Sequence, residues 1–240
     1  MPRHGKNTTV LLGAVNLSPY LDSMDLAVDT EQADTTTFGA TWKSEIAGVS
    51  SAKVDYSGLY DPTQASLPTL FLSLLPGNLT YCPGGGATIG DAARLVSAID
   101  TSYAESSPVG GVVAVKGSFD ADGSVGFGAI LHPLGEDTNT TVGAERDDAT
   151  ATATGWVAHL HVISVDGGTW TIKLEDAAAS NTYSDLTGGA FTGVTTAGSQ
   201  RLQSAAVTTA LRRYVRYTAT RAGGIAGDGI TFALAYARNR

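Results

Sequence analysis

Trp156-Val-Ala-His-Leu-His-Val-Ile163, an Asp166-Gly167-Gly168 turn and Thr169-Trp-Thr-Ile-Lys-Leu-Glu175 together decide the fold class. In the first run Trp156, Ala158, Leu160 and Val162 fall on one side, and Val157, His159, His161 and Ile163 on the other. In the second, Trp170, Ile172 and Leu174 alternate with Thr171, Lys173 and Glu175. Successive side chains of a strand point to opposite faces, so this period of two reads as strands. The Asp-Gly-Gly between them predicts a hairpin. Downstream, Arg213, Val215, Tyr217 and Ala219 alternate with Arg212, Tyr214, Arg216 and Thr218. After an Asp228-Gly229 turn, Ile230, Phe232, Leu234 and Tyr236 mark the inward face of a further strand.

Working back toward residue 1, strands are expected over 8–15, 41–46, 51–56, 94–103, 112–119 and 124–131, with Asp122-Gly123 turning the last pair. Leu67, Leu70, Phe71 and Leu74 share one helical face, with Pro68 near the start and Pro76-Gly77 at the end, so a short helix is expected over 67–75. The organisation read from this is a β half over 1–132, a linker or exposed loop over 133–153 rich in Gly, Thr, Asp and Glu, and a second β half over 154–240. An internal duplication is one reading of the two halves; the likeness that all alternating sheets share is the other. A second irregular stretch, 18–37, carries Asp22, Asp25, Asp29, Glu31 and Asp34 with no basic residue, and is expected to be a long loop reaching a neighbouring subunit.

Composition narrows the function. Of 240 residues 42% are hydrophobic, enough for a core, and only 16% are charged, while 29 are glycine. That profile suits strands joined by turns rather than a disordered chain. The single cysteine, Cys82, allows no internal disulfide and is expected to be a buried thiol. No apolar core of a signal peptide follows the basic start, and no run approaches a membrane span, so no membrane partner and synthesis in a cytoplasm are expected. The net charge of −8 opposes a nucleic-acid grip. It is unevenly spread: 201–240 holds seven arginines and one acid, +6, and 1–200 holds eight bases and 22 acids, −14. Arg212, Arg213 and Arg216 are therefore contact candidates opposite the acidic stretch on another copy; neutralisation inside one fold is the other outcome.

Each chemical motif breaks at a definite residue. His159 and His161 point to the same side of one strand, but His4 and His132 offer no third metal ligand at a recognisable spacing, so polar-face histidines are expected. Asp120-Ala-Asp-Gly123 begins like a calcium loop, yet Leu131 stands where the closing glutamate belongs. Pro83-Gly-Gly-Gly-Ala-Thr-Ile-Gly90 lacks the Gly-Lys-Ser/Thr end of a phosphate loop. No nucleophile elbow is present, and Cys82 has no histidine in a known signature. No enzyme, metal or cofactor is expected.

Two sets of motifs resemble phage tail tube proteins of long-tailed actinobacterial phages. One runs from Val15-Asn-Leu-Ser-Pro-Tyr-Leu-Asp-Ser-Met24 through Asp34-Thr-Thr-Thr-Phe-Gly39 and Ile46-Ala-Gly48 to Asp55-Tyr-Ser-Gly-Leu-Tyr-Asp61. The other joins Gly168-Thr-Trp-Thr-Ile-Lys-Leu-Glu-Asp176, Arg213-Tyr-Val-Arg-Tyr217 and Ile230-Thr-Phe-Ala-Leu-Ala-Tyr-Ala-Arg238, which is similar to phage virion β domains at large. The resemblance implies a β-sandwich or barrel with one flanking helix, in a virion tail assembled in the host cytoplasm. It implies self-association into six-unit rings stacked as a tube, contacts with other tail proteins, and an acidic lumen through which genomic DNA passes unbound. A true duplication would make the ring a trimer. The alternatives are another virion β protein (head decoration, tail terminator or baseplate component) and a carbohydrate-binding β-sandwich using an exposed tryptophan such as Trp42.

Overall fold

The computed structural model describes residues 4–38, 41–61, 77–225 and 227–239. In chain order its strands are Thr9–Leu12 (β1), Val15–Asn16 (β2), Leu21–Asp34 (β3), Glu45–Leu59 (β4), Gly77–Cys82 (β5) and Ala92–Ser106 (β6). Next come Ala114–Ala121 (β7), Gly126–Asp137 (β8), Thr141–Val142 (β9), Arg146–Asp147 (β10) and Trp156–Val165 (β11). Thr169–Ala177 (β12), Ser184–Val194 (β13), Gly198–Gln203 (β14), Tyr214–Ala222 (β15) and Ile230–Arg238 (β16) complete them. The mainly β class is as the alternation predicts; among the described residues only Gly5–Asn7 is helical, as one 3-10 turn. The helix expected over 67–75 lies outside the described residues.

The chain divides into two compact units, Met1–Pro19 with Asn78–Val96 and Gly126–Arg240, and Tyr20–Gly77 with Ser97–Val125. The expected boundary at 133–153 is not where it divides. β8 carries the backbone on to Asp137, and β9 and β10 then pair with β15 inside the first unit. Ladder bonds occupy much of the segment read as a linker.

In the first unit one sheet runs β14-β11-β16-β8-β6-β5-β1-β2, and a second runs β10-β15-β12-β13 with β9 also on β15. Trp156, Leu160, Phe232 and Leu234 from the first sheet meet Trp170, Ile172, Phe191 and Val215 from the second in one buried core. The turn at Asp166-Gly167-Gly168 is thus not a hairpin. β11 pairs with β14 and β16, while β12 pairs with β13 and β15, so the turn arches from one sheet to the other. The physical reason is the pair of tryptophan faces: as a hairpin both would share one face of one sheet, whereas the arch sets them across the core. Gly168 at φ 72 makes the bend, and Trp170 Nε1 closes it on the Gly167 carbonyl at 3.1 Å. Asp122-Gly123 likewise joins strands that do not pair, since β7 bonds to β4 and β6, and β8 to β16 and β6.

β11 and β16 are buried on both faces. Behind the sandwich core, Val157, Ala235 and Ala237 pack with Cys82, Ala93, Leu95 and Ile130. On β16 the large residues Ile230, Phe232, Leu234 and Tyr236 face the sandwich, and alanines face the rear, where the β5–β6 part of the sheet curls close. Gly128 of β8 sits opposite Ala237, and a Cβ there would lie inside the Tyr236 backbone. Gly128→Ala is therefore expected to cost on the order of 1–3 kcal/mol or more, read as a lower urea midpoint; an unchanged midpoint would contradict this packing.

Candidate interaction surface

In the second unit β3 and β4 pair from Leu21–Gly58 to Asp34–Glu45, forming a long antiparallel ribbon. The stretch 18–37, expected to be an irregular loop, is for most of its length this strand. Cross-strand partners share a face. Met24, Leu26 and Val28 therefore lie beside Tyr56, Val54 and Ala52, and Asp25, Ala27 and Asp29 beside Asp55, Lys53 and Ser51. On the first face Ala52, Val54 and Tyr56 are buried, and Tyr56 stacks on Phe119 with 4.9 Å between ring centroids. The second face continues over β7 and β6 through Lys116, Ser118, Asp120, Ser102 and Ala104. It is a shelf of short polar side chains with four carboxylates, Asp25, Asp29, Asp55 and Asp120, against Lys53 and Lys116. Part of it forms an open groove lined by Ser23, Asp25, Lys53, Asp55, Ser57 and Lys116.

Beyond Asp29 both faces of the ribbon are exposed. Its far end displays Trp42, 85% exposed, with Phe38, Ile46 and Val49. Of the five expected acidic contact residues, Asp22 accepts a hydrogen bond from Ser57 Oγ, and Asp25 from Ser23 Oγ at 3.3 Å. Asp34 accepts from the Thr36 N–H at 2.8 Å, and hydrogen bonds from Thr36 hold its carboxyl below the usual range. Among the described residues Asp29 and Glu31 have no hydrogen-bond or ion-pair partner. The structure brings all five onto β3, which among the described residues pairs with β4 alone and so forms an edge strand.

The basic candidates lie in the first unit, each on an acid of that unit. Arg212 bonds Asp176 through its backbone N–H at 2.8 Å and Nε at 2.9 Å. Arg213 grips Asp147 through two nitrogens at 2.6 and 2.5 Å, and that bond pulls the Asp147 carboxyl down to about 2. Arg216 bonds Glu175 at 2.6 Å and stacks over the Tyr183 ring, 3.9 Å from its centroid. Each of these arginines thus has an acid partner within its own chain.

His159 and His161, expected on a polar face, are fully buried instead, because the rear of β11 is covered by β5 and the β1–β2 turn. Burial lowers the titration of both. Among the described residues no group of three or more His, Cys, Asp or Glu is arranged to hold a metal ion. Cys82 is buried, and desolvation pushes its thiol up to about 12. Trp156 and Trp170 are core residues, as their alternation predicts.

No protein-family model matches the chain, and no curated protein matches it. Solved structures do resemble it. A component of the virion of a native gene transfer agent particle aligns at 15% identity over 52% of this chain and 98% of its own, with a TM-score of 0.43. A chain of the sheath-tube complex of an extracellular contractile injection system aligns at 18% identity over 53% and 92%, TM-score 0.42. The SPP1 Dit protein, from a hub adsorption apparatus of phages infecting Gram-positive hosts, aligns at 12% identity over 95% and 98%, TM-score 0.38.

Proposed function

We propose that this chain is a non-catalytic structural subunit of a phage-type virion tail, and within that class the subunit of the tail tube. The observation that carries the proposal is the β3–β4 ribbon: a 14-residue edge strand bearing five acids, joined to a partner strand exposed well beyond the core. A free edge of this length is a template for pairing with another chain, and its carboxylates bar indiscriminate pairing. The ribbon also contains the motifs that resemble tail tube proteins. The acidic shelf of β3, β4, β7 and β6 suits a lumen wall, since like charge repels DNA phosphates and short side chains leave the passage open. Asp22, Asp25, Asp29, Glu31 and Asp34 are the proposed contacts with the next subunit. Arg212, Arg213 and Arg216, each paired with an acid of its own chain, are the proposed basic side of that contact, Arg212 and Arg213 being still partly exposed.

Negative-stain microscopy of the purified protein at rising concentration tests this. Hollow tubes of stacked rings are the expected result. Discrete rings that never stack would move the chain to a terminator or baseplate role, and monodisperse single copies at every concentration would overturn the tail-tube reading.

A further inference from the structure

We propose that the rear of the first unit is closed by a proton-sensitive latch, in which His159, Thr80 and His161 hold β1, β2 and β5 against β11 and release them on proton uptake. β5 and the β1–β2 turn reach β11 through side chains, because β5 takes its ladder bonds from β1 and β6, and β11 from β14 and β16. The Thr80 hydroxyl lies 3.2 Å from His159 Nδ1 and 2.8 Å from His161 Nε2. His161 Nδ1 lies 2.9 Å from the Gly13 carbonyl, and Asn78 Nδ2 donates to Ser199 Oγ at 3.0 Å.

The acceptors set the order of the protons. A carbonyl only accepts, so His161 carries its proton on Nδ1 and leaves Nε2 bare. Thr80 then donates to that bare nitrogen, and its oxygen accepts from Nδ1–H of His159. His159 Nε2 is left as a buried lone pair with no hydrogen-bond partner among the described residues. A proton arriving there creates a charge in a dry interior, with the His161 ring 6.0 Å away. A proton on His161 Nε2 reverses that bond, so Thr80 Oγ1 faces two N–H donors and its own proton loses its acceptor. Burial outweighs the hydrogen bonds that the Leu79 and Gly13 backbone offers the two cations, and both cations are hydrated once the latch opens.

Thr80 of β5 meets both rings, and the cross-strand neighbours of the pair are Ser199 and Arg201 from β14 and Ala233 and Ala235 from β16. Of these Arg201 is charged, and its positive charge further opposes protonation of His159. Desolvation lowers the His161 imidazole from 6.5 to about 4. A histidine lowered in the folded state stabilises the closed form fully above its unfolded value and loses that contribution as pH falls toward the folded one. The window therefore runs from 6.5 down to about 4.

Amide hydrogen exchange and imidazole 15N spectra of the full chain across this window test the latch. Protection factors in β1, β2 and β5 are expected to fall by about tenfold per pH unit for one proton, and more steeply for two, while β12 and β13 hold. His132 also titrates low, but it packs on Phe232 and Tyr217 in the sandwich, so its effect is read on other strands. His159→Gln with His161→Gln should abolish the selective loss. Should that variant fail to fold, the wild-type profile decides alone: protection lost from all strands together, or retained in β1 and β5 at pH 4, overturns the proposal.

Discussion

Replacing Asp148 with alanine is expected to lower the unfolding free energy by about 3–5 kcal/mol, because it strands two guanidinium groups in a partly buried site. Asp148 Oδ1 accepts from Arg146 Nε at 2.7 Å, and Oδ2 accepts from Arg238 Nε and the Tyr236 hydroxyl, both at 2.7 Å. Arg238 also donates to the carbonyls of Leu211 and Arg212, each at 2.6 Å. The carboxylate therefore ties β16 of one sheet to β10 and the approach to β15 of the other. Burial alone would raise the Asp148 carboxyl, but hydrogen bonds from Tyr236, Arg146 and Arg238 outweigh it and hold the group low. Its contribution is accordingly present above the ordinary carboxylate value of 3.8 and is lost as pH falls through the lower folded value. Urea unfolding of D148A at neutral pH measures the loss; a change under about 1 kcal/mol would mean the cluster is no more than surface pairs.

The second large effect concerns assembly. Reversing Asp29 and Glu31 to lysine is expected to abolish tube formation while leaving the monomer folded. Both positions are exposed and unpaired among the described residues, so the folding cost is within about 0.5 kcal/mol each. A contact set by charge, in contrast, meets like charge where it met opposite charge, at a cost of several kcal/mol. Light scattering with circular dichroism separates the two readouts. Wild-type scattering by D29K/E31K would remove these acids from any contact between subunits, whatever the fate of the tube.

Much of the sandwich was legible because Trp156, Trp170 and Phe232 stand in alternations whose apolar side could only be a core. What those patterns cannot carry is the partner of each strand. Asp166-Gly167-Gly168 serves a hairpin and an arch equally well, and the choice falls to tryptophan faces that must meet across the core. β3 was hidden for a different reason. Met24, Leu26 and Val28 do alternate with Asp25, Ala27 and Asp29, but the acids read as solvated loop, and an edge strand needs no deeper burial. The histidines were misplaced because a polar residue on a second face was assigned to water, whereas the curl of the sheet covers that face. The arginines' partners, Asp147, Asp176 and Glu175, lie far enough back in sequence that no local spacing joins them.

The arches that replace hairpins also set the order in which the molecule can be completed. β11 waits for β16, and β8 for the same strand, so that His132 bonds a carbonyl 100 residues further along the chain. Such distant pairings close large loops before they are rewarded, which places folding in the slow range of about milliseconds to seconds. During synthesis the centre of the first unit stays open until β16 has left the ribosome, and the edges of β8 and β11 that face it are bare for all of that time.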